Sequence, residues 1–111
     1  MNKYRAIPTE IDGITFASKR EALRYTELQR LQQAKVITDL ELQPEFILAC
    51  GGTPLRTKTK RVMKYRADFR YQVKGTKEVI VEDVKGMDTR DSQLRRAIVL
   101  AEYGIDVQII H

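Results

Sequence analysis

Hydrophobic and polar residues follow two different spacings along this chain, one helical and one alternating. The first helical stretch covers residues 17–35, where apolar residues recur every three or four positions. Ser18 lies at its start and Glu21 follows three residues later, which is the spacing of a capping box. The pattern therefore predicts a helix that carries Glu21 at the edge of its core-facing side.

A second helix is predicted near the carboxyl end of the chain. Asp88 or Thr89 can cap it, and Gly104 follows Tyr103 at a position where helices commonly end. Its apolar residues recur at helical spacing, so we expect them to form a buried stripe. They are Leu94, Ala97, Ile98 and Ala101.

Alternating segments predict four strands, over residues 40–49, 62–73, 78–85 and 105–110. In order along the chain, the elements are a helix, three strands, a helix and a strand. This order predicts a single α/β domain over residues 1–111, in which the second helix crosses over between the last two strands.

Two segments outside these elements are expected to lie on the surface. Residues 1–15 are polar and turn-rich, which predicts an N-terminal arm or a weak hairpin. Residues 51–61 begin with two glycines and predict a basic loop or hairpin tip that either stays in solvent or contacts DNA phosphates. Its four cations are Arg56, Lys58, Lys60 and Arg61.

Composition and charge narrow the class of protein. Of the 111 residues, 42% are hydrophobic and 32% are charged, as in folded globular proteins. Lys and Arg number 20 against 15 Asp and Glu, and the net charge of +5 favours a polyanionic partner, either nucleic acid or an anionic membrane surface. Because the chain lacks a signal-like leader and any apolar run of roughly 20 residues, we expect a cytoplasmic protein that does not enter membranes.

Cysteine and histidine are too scarce for several kinds of site. The single cysteine, Cys50, excludes an intramolecular disulfide and a zinc site built from several cysteines. The single histidine, His111, is the last residue, where a catalytic base would be poorly held. We therefore expect any chemistry to use carboxylates, lysine, arginine or tyrosine.

Charged residues occur in strands that are otherwise apolar. Asp83 and Lys85 are two positions apart in the third strand and therefore lie on one face of it. Asp68 belongs to the preceding strand, and antiparallel pairing can bring its carboxylate beside Asp83. Two close carboxylates repel each other unless a cation neutralises them, and Mg²⁺ or Mn²⁺ is the usual cation among oxygen ligands.

Glu21, on the first helix, is a candidate third ligand beside Asp68 and Asp83. A divalent cation on these carboxylates, with Lys85 nearby, is typical of phosphodiester hydrolysis. The alternative interpretations are that Asp83 and Lys85 form an ordinary salt bridge on a sheet edge and that Glu21 only completes the capping box. Glu82 is predicted to be a surface carboxylate, because its side chain points away from that of Asp83.

Four sequence motifs occur in order along nearly the whole chain. They are DGITFASKREALRY at residues 12–25, LELQPEF at 40–46, YRADFRY at 65–71 and VEDVKGMDT at 81–89. The last two resemble the split signature of the PD-(D/E)XK nuclease superfamily, with Ala67 in place of the usual proline. Together, the four motifs resemble a family of small phage-encoded proteins within that superfamily.

This resemblance implies a restriction-endonuclease-like core and nuclease chemistry. It implies an active site of Glu21, Asp68, Asp83 and Lys85, in which the three carboxylates bind Mg²⁺ or Mn²⁺. Gln43 is implied as an accessory residue, and a polar strand residue without a role in the site is the alternative. The resemblance also implies a phage or prophage origin, within the cytoplasm of a bacterial host cell.

The sequence leads to the prediction of a metal-dependent endonuclease acting on DNA, including branched or recombination intermediates of phage DNA. Cleavage of both strands of a duplex favours a homodimer, because each subunit supplies one active site. Arg90 and Gln93, in the first turns of the second helix, join the basic loop as candidate contacts to nucleic acid. The alternative is a non-catalytic nucleic-acid-binding module that retains the nuclease fold, and the sequence does not separate DNA from RNA.

Overall fold

The structure, a computed structural model, describes residues 7–111. These residues form a single α/β domain with two helices and ten short strands. The helices are α1 (Lys19–Gln33) and α2 (Arg90–Tyr103). The strands are β1 (Thr9–Ile11), β2 (Ile14–Phe16), β3 (Ile37–Leu42), β4 (Glu45–Ile47), β5 (Ala49–Cys50), β6 (Thr53–Pro54), β7 (Lys64–Arg66), β8 (Phe69–Val73), β9 (Val79–Val84) and β10 (Gln108–Ile110).

Four of the strands form the main sheet, in the order β10, β9, β8, β3. The pairs β3–β8 and β8–β9 are antiparallel, whereas β10 is parallel to β9. Parallel neighbours need a long crossover connection, which α2 supplies between β9 and β10. The sheet and its helices therefore follow the predicted order of helix, three strands, helix and strand, and the predicted α/β class is confirmed.

The ends of both helices match their sequence signals. Ser18 is extended, and its side-chain oxygen accepts a hydrogen bond of 3.1 Å from the backbone N–H of Glu21. Thr89, rather than Asp88, caps α2 in the same way. Gly104 ends α2 in the left-handed conformation (φ 68°), which glycine adopts without strain. Within residues 7–111, neither helix is long and apolar enough to cross a membrane.

The predicted N-terminal arm contains a short hairpin. β1 and β2 pair antiparallel across the turn at Asp12-Gly13. Phe16 is buried against Tyr25 of α1, with ring centroids 4.9 Å apart, so the hairpin packs on that helix. Residues 1–6 of the predicted arm lie outside the described residues.

Two strands that were predicted as continuous are each interrupted. The predicted strand over residues 40–49 divides at Gln43-Pro44, between β3 and β4, and Gln43 is left-handed (φ 53°). The predicted strand over residues 62–73 divides at Ala67-Asp68, between β7 and β8. The two breaks lie side by side, because Gln43 N–H donates to Asp68 O at 2.9 Å and Ala67 N–H donates to Pro44 O at 3.0 Å.

The main sheet separates two hydrophobic clusters. The first lies against α1 and includes Tyr25, Leu28, Ile37, Phe69 and Tyr71. The second lies against α2 and includes Phe46, Leu48, Tyr65, Ala67, Val81 and Val99. The break at Ala67-Asp68 transfers the chain from the second cluster to the first, so Asp68 lies at the boundary between them.

The predicted buried stripe of α2 is wrong at three of its four positions, since only Ile98 is partly buried and packs against the second cluster. Leu94 is 61% exposed, and Ala97 and Ala101 are exposed as well. Val99 is fully buried instead and packs in the second cluster. The helix has apolar residues on several faces, so helical spacing alone did not identify the face that meets the sheet.

The prediction that Glu82 is a surface carboxylate is also wrong. Glu82 is only 2% exposed, because its side chain points toward α1. Arg24 Nε and Nη2 each donate to one Glu82 oxygen at 2.7 Å, and the Tyr71 hydroxyl also donates to Glu82. Since a buried carboxylate is costly unless it is paired and hydrogen-bonded, this ion pair fixes α1 against β9.

Replacing Arg24 with leucine is expected to lower the free energy of unfolding by about 3 kcal/mol, because the change leaves a buried carboxylate without its cation. Urea unfolding measures the loss. Arg30→Leu, at an exposed position in the last turn of the same helix, is the matched control and should change stability little. Equal losses in the two variants would contradict a stabilising role for the Arg24–Glu82 pair.

Candidate active site

Glu21, Asp68 and Asp83 meet where the first turn of α1 approaches the break before β8 and the end of β9. Asp68 is fixed to β9 on both sides of Asp83. Its backbone N–H donates to Glu82 O at 3.0 Å, and its Oδ2 accepts from Val84 N–H at 2.7 Å. The structure therefore brings together the three carboxylates that the sequence predicted as ligands.

The three carboxyl groups perturb one another. Glu21 and Asp83 are buried, and Asp68 is half-buried. Burial raises the pKa of Asp68 to about 8, and its hydrogen bond to Asp83 adds to this increase. Burial and then the negative charge of Asp83 also raise the pKa of Glu21. Three negative charges at this place are therefore unfavourable unless protons or a cation offset them.

Asp83 is held by a lysine and a tyrosine. Lys85 Nζ lies 3.1 Å from Asp83 Oδ2, which confirms that the two side chains share a face. The Tyr65 hydroxyl donates to the same oxygen. Burial and this hydrogen bond raise the pKa of Tyr65, so its hydroxyl stays protonated as a donor. Tyr65 was not among the predicted site residues, although it begins the YRADFRY motif that contains Asp68.

Arg96 and Asp88 support Tyr65 from the side of α2. Arg96 donates to the two Asp88 oxygens at 2.8 and 2.6 Å, and this pairing lowers the pKa of Asp88. The Arg96 guanidinium also lies close enough to interact with the Tyr65 hydroxyl. The orientation of Asp83 therefore depends, through Tyr65, on Arg96 of α2 and on Asp88, which precedes the helix.

An open cleft of about 170 Å³ lies beside Glu21 and Asp68. It has room for a few water molecules. Gln43 is exposed at the edge of this cleft, where the break after β3 places it. The predicted accessory residue thus lies next to two of the predicted ligands. The cleft is lined by Ile14, Thr15, Phe16, Glu21, Leu42, Gln43 and Asp68.

The predicted nucleic-acid contacts all lie on the surface. The cations of residues 56–61 are exposed, and Arg56 Nη1 donates to Lys60 O at 2.9 Å within the loop. Arg90 and Gln93 are exposed at the start of α2. In the described part of the chain, no hydrogen bond or ion pair joins any of these residues to the three carboxylates.

The positions of Glu21, Asp68 and Asp83 do not form a complete metal-binding site. In residues 7–111, no group of three or more His, Cys, Asp or Glu side chains is arranged to hold a metal ion. The donor set nevertheless suits a hard divalent cation, since Val84 N–H takes one oxygen of Asp68, and Tyr65 and Lys85 share one oxygen of Asp83. Mg²⁺ is commonly held by one or two carboxylates together with several waters. These two aspartates fit such an ion, with Glu21 as a further oxygen donor.

Comparison with known proteins identifies a family. A family model described as "Protein of unknown function (DUF1064)" matches residues 1–110. The chain belongs to this family. No curated protein and no solved structure matched the chain significantly. Because the family's description assigns no activity, the function has to be argued from the site.

Without divalent metal, the free energy of unfolding is expected to fall as the pH rises from about 4 to about 8. Over this range the folded protein retains a proton on Asp68, whose pKa is raised to about 8, whereas the unfolded chain has released it. The folded state then binds more protons than the unfolded state, so stability decreases with increasing pH. Urea unfolding in the presence of a chelator measures this slope.

Asp68→Asn should remove most of the slope. The variant and the wild type should have similar stabilities near pH 4, and the wild type should become the less stable of the two toward pH 8. Asp106→Asn, a change at an exposed position, should retain the wild-type slope. Parallel curves for Asp68→Asn and the wild type would be evidence against the raised pKa.

Proposed function

We propose that this protein is a divalent-metal-dependent nuclease of the PD-(D/E)XK type that hydrolyses phosphodiester bonds in DNA. The observation that carries the proposal is the convergence of Glu21, Asp68, Asp83 and Lys85 from separate segments of the chain. Burying carboxylates together is unfavourable for stability, and such departures from ordinary folding rules are concentrated at functional sites. The resemblance of the four sequence motifs to small phage-encoded proteins of the PD-(D/E)XK superfamily supports the same conclusion.

The residues of the site have complementary roles in this proposal. A bound Mg²⁺ or Mn²⁺ ion supplies a Lewis acid for the phosphate and an activated water. Asp68, Asp83 and Glu21 are the oxygen donors that hold the ion. The Lys85 ammonium offsets the negative charge that develops on the phosphate in the transition state. Tyr65 orients Asp83 through its hydrogen bond.

Net charge and the basic loop support nucleic acid as the substrate. The chain carries a charge of +5, and the four cations of residues 56–61 are exposed and available to phosphates. Arg90 and Gln93 extend the proposed contact surface. Branched or recombination intermediates of phage DNA, in the cytoplasm of a bacterial host, are the proposed biological substrate, and a homodimer would place one site on each strand.

A non-catalytic nucleic-acid-binding module is the second candidate. The observation in its favour is that the described carboxylates are not arranged as a metal-binding group. Carboxylates clustered beside a phosphate would weaken pure binding, however, because like charges repel at short range. A role in metal-dependent cleavage explains the cluster, whereas a binding module has no use for it.

Lys85→Ala is expected to lose cleavage while DNA binding stays largely intact. An interaction made mainly in the transition state lowers turnover more than affinity, and losing one costs about 3 kcal/mol, or on the order of a hundredfold in rate. Single-turnover assays with Mg²⁺ or Mn²⁺ on linear, nicked, flapped and four-way DNA measure the effect. In parallel, Asp83→Ala should lose Mn²⁺ affinity in calorimetric titration.

Lys77→Ala, at an exposed lysine just before β9, is the control and should cut at the wild-type rate. A Lys85→Ala variant that melts early yet still cuts normally would show that Lys85 is only a structural partner of Asp83. If wild-type protein binds DNA but cuts none of these substrates with either metal, the binding module becomes the better candidate.

Neutralising the basic loop should flatten the salt dependence of DNA binding. Each phosphate contact contributes about 0.9 to the slope of log K against log salt on duplex DNA. A variant with serine at all four cationic positions of residues 56–61 should therefore show a shallower slope in fluorescence anisotropy at several salt concentrations. An unchanged slope would show that the loop does not contact DNA phosphates.

A further inference from the structure

Arg20 lies beside the candidate active site with its guanidinium in a defined position. Its Nη1 donates to the backbone oxygen of Lys85 at 3.3 Å. A Cβ atom placed on the next residue, Gly86, would come within 3.3 Å of the same Nη1. This separation is tighter than most contacts of real Cβ atoms, so an alanine at this position would require the guanidinium to shift by a few tenths of an ångström.

The guanidinium of Arg20 retains most of its hydrogen-bonding capacity. Arginine has five N–H donors in a planar fork that matches a phosphate group, and Lys85 O takes one of them. Arg20 is exposed, and in residues 7–111 it forms no ion pair. By contrast, Arg24 and Arg96 each hold a carboxylate with two nitrogens.

A cation is needed at this edge of the site. When ionised, the carboxylates of Glu21, Asp68 and Asp83 carry three negative charges, against two positive charges, on Lys85 beside Asp83 and on Arg66, whose charge acts on Glu21. Unless a metal ion is bound, a phosphodiester that approaches them is repelled, and the repulsion is stronger in a half-buried site than in water. Arg20 is next to Glu21 in sequence and contacts Lys85, so its charge lies close to where that phosphodiester would have to enter.

We propose that Arg20 binds a backbone phosphate of the nucleic-acid substrate next to the bond that is cut, and that Gly86 keeps the space for its guanidinium. This inference rests on the proposed nuclease function and adds a contact beside the carboxylates, which the basic loop does not supply. The ligand is a phosphodiester group, so the contact positions the strand without reading its bases.

The test compares Arg20→Gln with Arg30→Gln. Both changes remove one exposed cation from α1, at positions about 15 Å apart along the helix. Binding to a short labelled DNA duplex is measured by anisotropy at several salt concentrations, with a chelator present to prevent cleavage. Arg20→Gln should weaken binding about fivefold or more and lower the salt slope by about 0.9, whereas Arg30→Gln should change neither.

Gly86→Ala provides a second, independent measurement. Its added methyl group should shift the guanidinium by a few tenths of an ångström and weaken DNA binding in the wild-type background, by less than Arg20→Gln does. In the Arg20→Gln background the same change should have little further effect, because coupled positions are not additive. Thermal melts check that each variant is folded, and since Arg20 and Gly86 are both exposed, their melting temperatures should stay near that of the wild type.

The outcomes separate this inference from the function on which it rests. Equal affinity and slope for Arg20→Gln and Arg30→Gln, in a protein whose wild type binds DNA, would overturn the role of Arg20 and leave the proposed nuclease intact. Additive effects of Gly86→Ala and Arg20→Gln would overturn the role of Gly86. A wild type that binds no DNA at all would overturn the proposed function and the inference together.

Discussion

The ion pair between Arg24 and Glu82 is the contact on which the candidate site depends. Glu82 and Asp83 are consecutive on β9, so their side chains point to opposite faces of the sheet. Arg24 holds Glu82 on one face and thereby fixes α1 to β9. Because Glu21 lies one turn before Arg24 on that helix, the same pair sets the position of Glu21 relative to Asp83.

The two buried carboxylates of β9 have different surroundings. Glu82 has a structural role in the packing of α1, whereas Asp83 belongs to the candidate active site. Both oxygens of Glu82 are bound by Arg24, and Tyr71 adds a further hydrogen bond, so the group is fully satisfied within the fold. On Asp83, by contrast, Tyr65 and Lys85 share one oxygen, and the group is also hydrogen-bonded to Asp68 and faces Glu21. A carboxylate held by an arginine stabilises the packing of α1, whereas carboxyl groups that lie close to one another are suited to bind a cation.

The parts of the fold that depend on local chemistry could be predicted from the sequence. Ser18 and Gly104 mark helix ends through their own side-chain and backbone preferences, and both act as predicted. The side-by-side placement of Asp83 and Lys85 also follows from strand geometry alone. The burial of Glu82 was missed, because its partner Arg24 is 58 residues away and no local pattern joins the two.

The sequence by itself determined the order of helices and strands, the helix caps and the residue types available for chemistry, because each depends on neighbours along the chain. Only the tertiary structure decided that the strand breaks at Gln43 and Asp68 lie together, and that α2 buries Val99 rather than Leu94. It also decided that Tyr65 supports Asp83. These outcomes depend on which surfaces meet across the sheet, and alternation or helical spacing describes the faces of one element without identifying its partner.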